Sequence, residues 1–463
     1  MLRKTHQNKA PLKIIIVGCG NVGSTLVEQL SSEGNDITII DQDPARIANI
    51  TNLYDVMSLV GNGATFNVQQ EAGINEADLF IAVTDSDEMN LLCCTIAKQG
   101  GHCATVARVR TPDYSEELPY LREKLGLALI INPNLEAARE IARLFYMPKA
   151  LEVTSFAHNQ AEIIKFKVPD KNLISGKSIS EYARFVNSKI LICAVERDNE
   201  VQIPNGDFVI QPGDVVSFVV PRRSRKSLLK DLAIKASPIR TCMIVGGGRS
   251  AYYLTQQLLH MGVKVKIIEL NKQRCEILSE RLPGAIIING DGTDETLLRE
   301  EGIDGMDAFV SLTGHDEQNV ILTLYAKSVT DTKVITKVKR TNFRQVISNL
   351  DLGSVVYPRY ITSESIIAYA RAMRASIESD DIETMCHMYD WRVESLEFRV
   401  KRDCQVVGKE IRSLNLKPDL MIALINRKGK VMLPTGSDSI QVGDTVIVVT
   451  TNTGFSEIDD ILA

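Results

Sequence analysis

Apolar positions along this chain follow two alternating periods. Residues 13–18, apolar from Ile14 to Val17, predict a buried strand that ends at Gly18. From Asn21 to Ser31, Val22, Leu26, Val27 and Leu30 recur at helical spacing, so one face of that helix packs inward. Asp36–Ile40 predicts a second strand ending at Asp41, Arg46–Leu53 a short helix, and Val56–Val60 an extended run into Gly61-Asn62-Gly63. Leu79–Val83 predicts a strand ending at Thr84, Met89–Lys98 a helix, and Ala104–Val109 and Leu129–Ile131 two further strands. Strand and helix in alternation imply a parallel sheet covered on both faces.

The same order returns 228 or 229 residues later. Met243–Val245 runs into Gly246-Gly247-Gly248, Gly290-Asp291-Gly292 answers to Gly61-Asn62-Gly63, and Thr313 with Asp316, Glu317 and Asn319 answers to Thr84 with Asp87, Glu88 and Asn90. The repeat continues past these sheets. Gly176-Lys177-Ser178-Ile179 matches Gly408-Lys409-Glu410-Ile411, and Pro212-Gly213-Asp214 matches Val442-Gly443-Asp444. These flanking pieces lack a glycine fingerprint and predict small α+β units, with strands at Glu162–Val168, Ile190–Glu196 and Val215–Val220 in the first. The expected organisation is α/β: two Rossmann-like parallel-sheet domains, each followed by a small α+β domain, bounded at 1–148, 149–233, 234–376 and 377–463. Leu135–Tyr146 and Ser363–Arg374 are helical connectors. The basic run Pro221–Lys226 reads as a solvated linker and helix start.

Composition narrows the class. A net charge of −5 over 463 residues argues against a nucleic-acid-binding surface. Nine irregularly spaced cysteines with no C-x-x-C pair fit a reducing compartment rather than a disulfide framework. Six scattered histidines offer no zinc spacing. No apolar run reaches the ~18–20 residues of a membrane-spanning helix, and the first 13 residues, with Arg3, Lys4, Lys9 and Lys13, read as a basic tail without a signal-peptide core.

The candidate chemistry lies at the glycine turns. Gly18 permits the tight turn, Gly20 lets a diphosphate approach the backbone, and Gly23 lets the helix pack close to the sheet. Cys19, Asn21 and Val22 complete the loop, whose N–H groups face the phosphates. Asp41, 23 positions after Gly18, accepts from the hydroxyls of an adenosine ribose. Gln42 offers no partner to a 2′-phosphate, so NAD is preferred over NADP. In the second copy Gly246 and Gly248 are kept, Ala251 replaces the third glycine, and Glu269 stands 23 positions after Gly246. Arg249 and Ser250 follow the turn, where Arg249 either contacts phosphate or fills the site. Asn62 and Asp291 are expected near the adenine, and Thr84 and Thr313 near the phosphates. For Arg108, Arg110, Lys337, Lys339 and Arg340 a phosphate role and a surface role fit equally. The chain has no Walker motif. It also lacks histidines at matching places in its halves, so a proton donor for a dehydrogenase is not found.

The Val17–Gly23 turn, Asp41, the Ala77–Thr84 segment and the Gly-Lys-Ser-Ile and Pro-Gly-Asp pieces resemble the RCK/KTN family. The resemblance covers residues 13 to 460 or so, and the order of four modules carries it more than any one motif. It implies RCK N-terminal modules that bind NAD or NADH, with ATP or ADP as alternatives at the same sites. It implies no catalysis, and regulation of a transmembrane Trk-type potassium transporter subunit from the cytoplasmic face of the inner membrane. Two lobes per chain would give a homotetramer the eight lobes of a ring. An NAD-dependent oxidoreductase and a transporter-independent nucleotide sensor are the competing expectations.

Overall fold

The computed structural model describes residues 11–115, 117–156, 160–170, 173–185, 190–232, 238–339, 346–347, 350–378, 382–389 and 392–463. The basic tail through Lys9 and the candidate Arg340 lie outside them. The chain divides into two compact units, residues 1–136 with 358–370, and residues 137–357 with 371–463.

The first unit holds a six-stranded sheet of β1 (Lys13–Val17), β2 (Asp36–Asp41), β3 (Met57–Val60), β4 (Leu79–Ala82), β5 (Ala104–Arg108) and β6 (Leu129–Ile131). Every pairing is parallel, and the order is β3-β2-β1-β4-β5-β6. Strand order reverses between β1 and β4, which opens a crevice at their carboxyl ends. The sheet centre is buried on both faces. Ile15, Val17, Phe80 and Ala82 pack with Cys93, Cys94 and Ala97 of the helix Asp87–Gly100. Buried Gln69 ties the layers by donating to the carbonyls of Gly63 at 2.7 Å and Cys93 at 3.0 Å. The helix Pro358–Glu378 contributes its first turns to this unit, where Arg359 donates to the Thr25 and Ser24 hydroxyls on the helix Asn21–Ser32.

The second unit contains three sheets. The first small module is antiparallel, with β7 (Glu152–Phe156), β8 (Ala161–Lys167), β9 (Leu191–Arg197), β10 (Glu200–Gln202) and β11 (Val215–Pro221) in the order β10-β9-β11-β8-β7. The second parallel sheet comprises β12 (Thr241–Val245), β13 (Lys264–Glu269), β14 (Ile286–Asn289), β15 (Ala308–Ser311), β16 (Lys333–Lys337) and β17 (Ser354–Val356), ordered β14-β13-β12-β15-β16-β17. The second small module has β18 (Ile382–Met388), β19 (Val393–Arg399), β20 (Leu420–Arg427), β21 (Lys430–Met432) and β22 (Thr445–Thr450), in the order β18-β19-β22-β20-β21. The two small modules thus share one topology, and the two parallel sheets share another.

The repeated Gly-Asp pieces now have a physical reason. Asp214 accepts a two-pronged pair from Arg197 at 2.8 and 2.7 Å, and Asp444 the same from Arg427 at 2.9 and 2.7 Å. Each carboxylate also caps its own turn, through the N–H of Gln211 or Gln441. Fork-to-carboxylate pairs of this kind fix direction as well as distance. The small modules share a core, in which Phe156, Ile163 and Val219 pack with Val393, Leu424 and Ile447. Tyr389 reaches from one to the other, its hydroxyl 2.8 Å from Ser217 Oγ and 3.1 Å from the Val215 carbonyl.

The small modules carry five strands where three were expected, because β7 and β10 are short edge strands with little alternation of their own. The connector helices start earlier than read, at Pro133 and Pro358. The basic run is a 3-10 turn, Arg222–Ser224, leading into the helix Arg225–Asp231, as expected of a helix start. The nine cysteines are free thiols, seven of them buried. No helix among the described residues is long and apolar enough to cross a membrane.

Candidate functional site

The first crevice is built around Asp41 at the end of β2. One carboxylate oxygen accepts from the Cys19 N–H at 2.6 Å and the other from the Asp43 N–H at 2.9 Å. The acid therefore holds the glycine turn, and each of its oxygens keeps a further lone pair able to accept from a hydroxyl. Arg46, on the next helix, stands 4.0 Å from this carboxylate and 3.5 Å from Asp43. Burial beside Asp41 pushes the Cys19 thiol up to about 12, so it stays protonated.

Gly18 has φ +101°, in the left-handed region, and a Cβ there would meet the Thr84 backbone at 2.9 Å. A Cβ on Gly23 would meet the Gly18 carbonyl oxygen at 1.9 Å, which is why the helix can seat against the turn. Gly20 is different, since a Cβ there meets nothing within 4 Å. Its bareness serves no internal contact and leaves open space before the helix Asn21–Ser32. That helix has no side-chain cap and no acid in its first turn, so its leading N–H groups and dipole are unopposed. Asn21 is exposed, while Val22 is buried under the helix.

The far wall is organised by Asn90, which the sequence marks only as a member of the repeat. Fully buried, it accepts from the Thr84 N–H at 2.8 Å and the Thr84 hydroxyl at 2.7 Å, and donates to the carbonyls of Thr84 and Arg108. The Thr84 hydroxyl, expected to face phosphate, is thus spent on Asn90. Arg108 donates to the Thr84 carbonyl at 2.6 Å and pairs with exposed Asp85 at 3.4 Å. Burial, with Arg110 beside it, lowers its guanidinium to about 10. Arg110 also meets Asp85, at 3.7 Å, and Asp87 at 3.3 Å. Asn62 follows β3 and closes its own turn, accepting from the Ala64 N–H at 3.0 Å.

The second crevice repeats this plan with exchanged atoms. Glu269 accepts from the Gly247 N–H at 2.7 Å and the Asn271 N–H at 2.8 Å, the same two positions that Asp41 holds. The room that the Cys19 side chain occupies in the first copy is taken here by Leu278 and Glu269. A Cβ on Gly247 would meet Leu278 at 2.5 Å and the Glu269 carboxylate at 3.1 Å. Gly246, φ +98°, repeats the turn, and Gly248, like Gly20, faces open space. Ala251 and Ser250 are buried beneath the helix Arg249–His260, and Arg249 is exposed at its first position. Thr313 is held by buried Asn319 at 2.8 Å from both its N–H and its hydroxyl. Lys337 replaces Arg108 and donates to the Leu312 carbonyl at 2.7 Å, and burial lowers its amine to about 8. Lys339 reaches the Gly314 carbonyl at 3.0 Å. Asp291 is exposed and closes its turn on Thr293.

One residue pair escaped the sequence reading. Arg46 and Arg274 stand five positions after their acids, 228 residues apart. Arg274 donates to the Gly247 carbonyl at 2.8 Å, strapping the turn. The constant offset was the available signal. Both crevices therefore present a carboxylate for hydroxyls, bare helix N-termini for anions and basic groups at the strand ends. Among the described residues no cluster of side chains suited to a metal ion is found.

The TrkA-N domain matches residues 14–133 and 242–358, and the TrkA-C domain matches residues 163–233 and 396–463. The chain is 32% identical to a Trk system potassium uptake protein TrkA homolog of Archaeoglobus fulgidus, over 94% of this chain and 97% of that one. It is 29% identical to the Trk system potassium uptake protein TrkA of Haemophilus influenzae, over 94% and 95%. Among solved structures it is similar in fold to the GsuK channel bound to NAD, with a TM-score of 0.61, 16% identity, and 96% of this chain and 77% of that one covered.

Proposed function

This chain belongs to the family of Trk system potassium uptake protein TrkA, with a regulatory role in potassium transport, and from that premise we propose that it gates a membrane transporter by sensing a nucleotide. The observation that carries the reading is the twice-built crevice, in which a carboxylate fixes the glycine turn and faces a bare helix N-terminus. Such a crevice suits an adenosine ribose and a diphosphate together. The ligand is NAD or NADH, with ATP or ADP at the same sites. The fold similarity to a channel solved with NAD supports this choice.

The protein works on the cytoplasmic face of the membrane as a homotetramer whose eight lobes form a ring beneath a Trk-type potassium transporter subunit. Gating is a population shift. A ligand moves the ring only by binding one lobe arrangement more tightly than the other, and equal affinity for both would move nothing. The chain's own groups bind and orient the nucleotide and convert nothing.

The test is calorimetry of the full chain with Asp41→Ala. Loss of a charged hydrogen-bond acceptor costs about 1.5–3 kcal/mol, so NAD affinity at the first crevice should fall roughly ten- to a hundredfold. Unchanged affinity would remove Asp41 as the ribose partner. Steady turnover of a nicotinamide substrate in an absorbance assay would overturn the regulatory reading.

A further inference from the structure

The two crevices share a backbone plan but differ in charge where a ligand's phosphates would lie. At the helix N-terminus neutral Asn21 becomes Arg249, which is exposed and adds like charge toward Arg274, whose ionisation is depressed chiefly by burial. On the far wall, Asp85 of the first crevice pairs with both Arg108 and Arg110. Its counterpart is Gly314, whose carbonyl takes Lys339 instead. The phosphate end thus gains one base and loses one acid. At the ribose end Asp43, paired with Arg46 in the first crevice, becomes Asn271 in the second. Changes of opposite sign, Asn62 to Asp291, Thr65 to Asp294 and Phe66 to Glu295, follow the edge strands β3 and β14, two strands away from β1 and β12 and their glycine turns.

We propose that the two crevices divide the adenine nucleotides by charge, the first taking the dinucleotide NAD and the second a nucleoside polyphosphate such as ATP. The proposal rests on the nucleotide-sensing function above and deepens it. A dinucleotide buries its two phosphates between two nucleosides, so the balanced first wall suffices. A terminal triphosphate presents more charge and no second nucleoside, and it needs the added cations. Within a few ångströms of the phosphates, two changes of unit charge are enough to reverse a preference between these ligands.

Gly20 and Gly248 supply a clean test. Both have ordinary negative φ, −71° and −68°, and a side chain at either meets no protein atom within 4 Å of its Cβ. Gly20→Val and Gly248→Val should therefore fold normally and obstruct one crevice each. In calorimetry of the full chain, G20V should lose NAD binding and keep ATP, and G248V should lose ATP and keep NAD. In the G20V background, Arg249→Asn should weaken ATP roughly tenfold and flatten its salt dependence. If both ligands follow the same glycine, or each crevice takes both equally, the division by charge is wrong while nucleotide sensing stands. If the unaltered chain binds neither NAD nor ATP, the sensing function falls and the division with it.

Discussion

The carboxylate proposed to meet the ribose hydroxyls is also the group that shapes the glycine turn, so on that proposal binding and local folding are coupled at Asp41 and Glu269. Sequence spacing located these acids because strand length and turn length together fix the distance from glycine to acid. It did not locate Asn90 and Asn319, whose importance comes from burial between β4 and β5 and their repeats. An asparagine near a helix start ordinarily reads as a cap, and nothing local reveals that its amide satisfies backbone groups on two strands. It also missed that Thr84 and Thr313 turn inward, since a threonine at a strand end fits either direction. Asn90→Ala would strand the Thr84 N–H and the Arg108 carbonyl in a buried setting. With about 1–3 kcal/mol for each orphaned group, stability should fall by roughly 2–6 kcal/mol. Urea unfolding of the first sheet's transition checks this, and a loss under about 0.5 kcal/mol would show that the wall holds without Asn90.

At the scale of elements, the parallel sheets were legible because both of their faces are covered. Their strands are short apolar runs punctuated by glycine, and the repeat reads the pattern twice. The small modules were less so. Edge strands such as β10, Glu200–Gln202, bury little and leave no pattern, and a core shared between two modules leaves no signature in either alone. One element boundary carries a pH dependence. At the start of β16, Lys333 donates to the Ala150 carbonyl at 2.5 Å and the Ser354 hydroxyl at 2.9 Å, and Ser354 in turn donates to the Leu151 carbonyl at 2.6 Å. Burial, with Lys149 adding like charge, lowers this amine to about 7. The unfolded chain, with an ordinary lysine, then binds more protons than the folded one between pH 7 and about 10.5. Stability should therefore rise as pH climbs through that window and be lower by the full penalty below it. Lys333→Met abolishes this contribution, so its melting temperature should vary less between pH 7 and 9 than that of the unaltered chain. Parallel curves would mean that the amine is solvated in the folded state.

For the molecule as a whole, the question is how an occupied crevice is felt elsewhere in the chain. The helix Asn21–Ser32 has two contacts that bear on this. Its N-terminus, proposed above to meet the phosphates, has no side-chain cap, and its Ser24 and Thr25 hydroxyls accept from Arg359. Arg359 stands at the start of the 21-residue helix Pro358–Glu378, which precedes the second small module in the sequence. A continuous helix that moves as one piece would hand a displacement at its first turn to its far end, and that is a coupling to be measured. Nucleotide at 100 times its dissociation constant stabilises the bound arrangement by about 2.7 kcal/mol, and part of that should appear as slowed amide exchange along Pro358–Glu378. The Arg359→Ala chain should bind NAD with nearly unchanged affinity, because Arg359 contacts the helix side and not its N-terminus. It should lose the exchange protection beyond Arg371 while keeping it within Asn21–Ser32. Hydrogen-exchange mass spectrometry of both chains, with and without NAD, separates the two regions. Equal protection beyond Arg371 in both would mean that the signal leaves the crevice by a route other than this arginine.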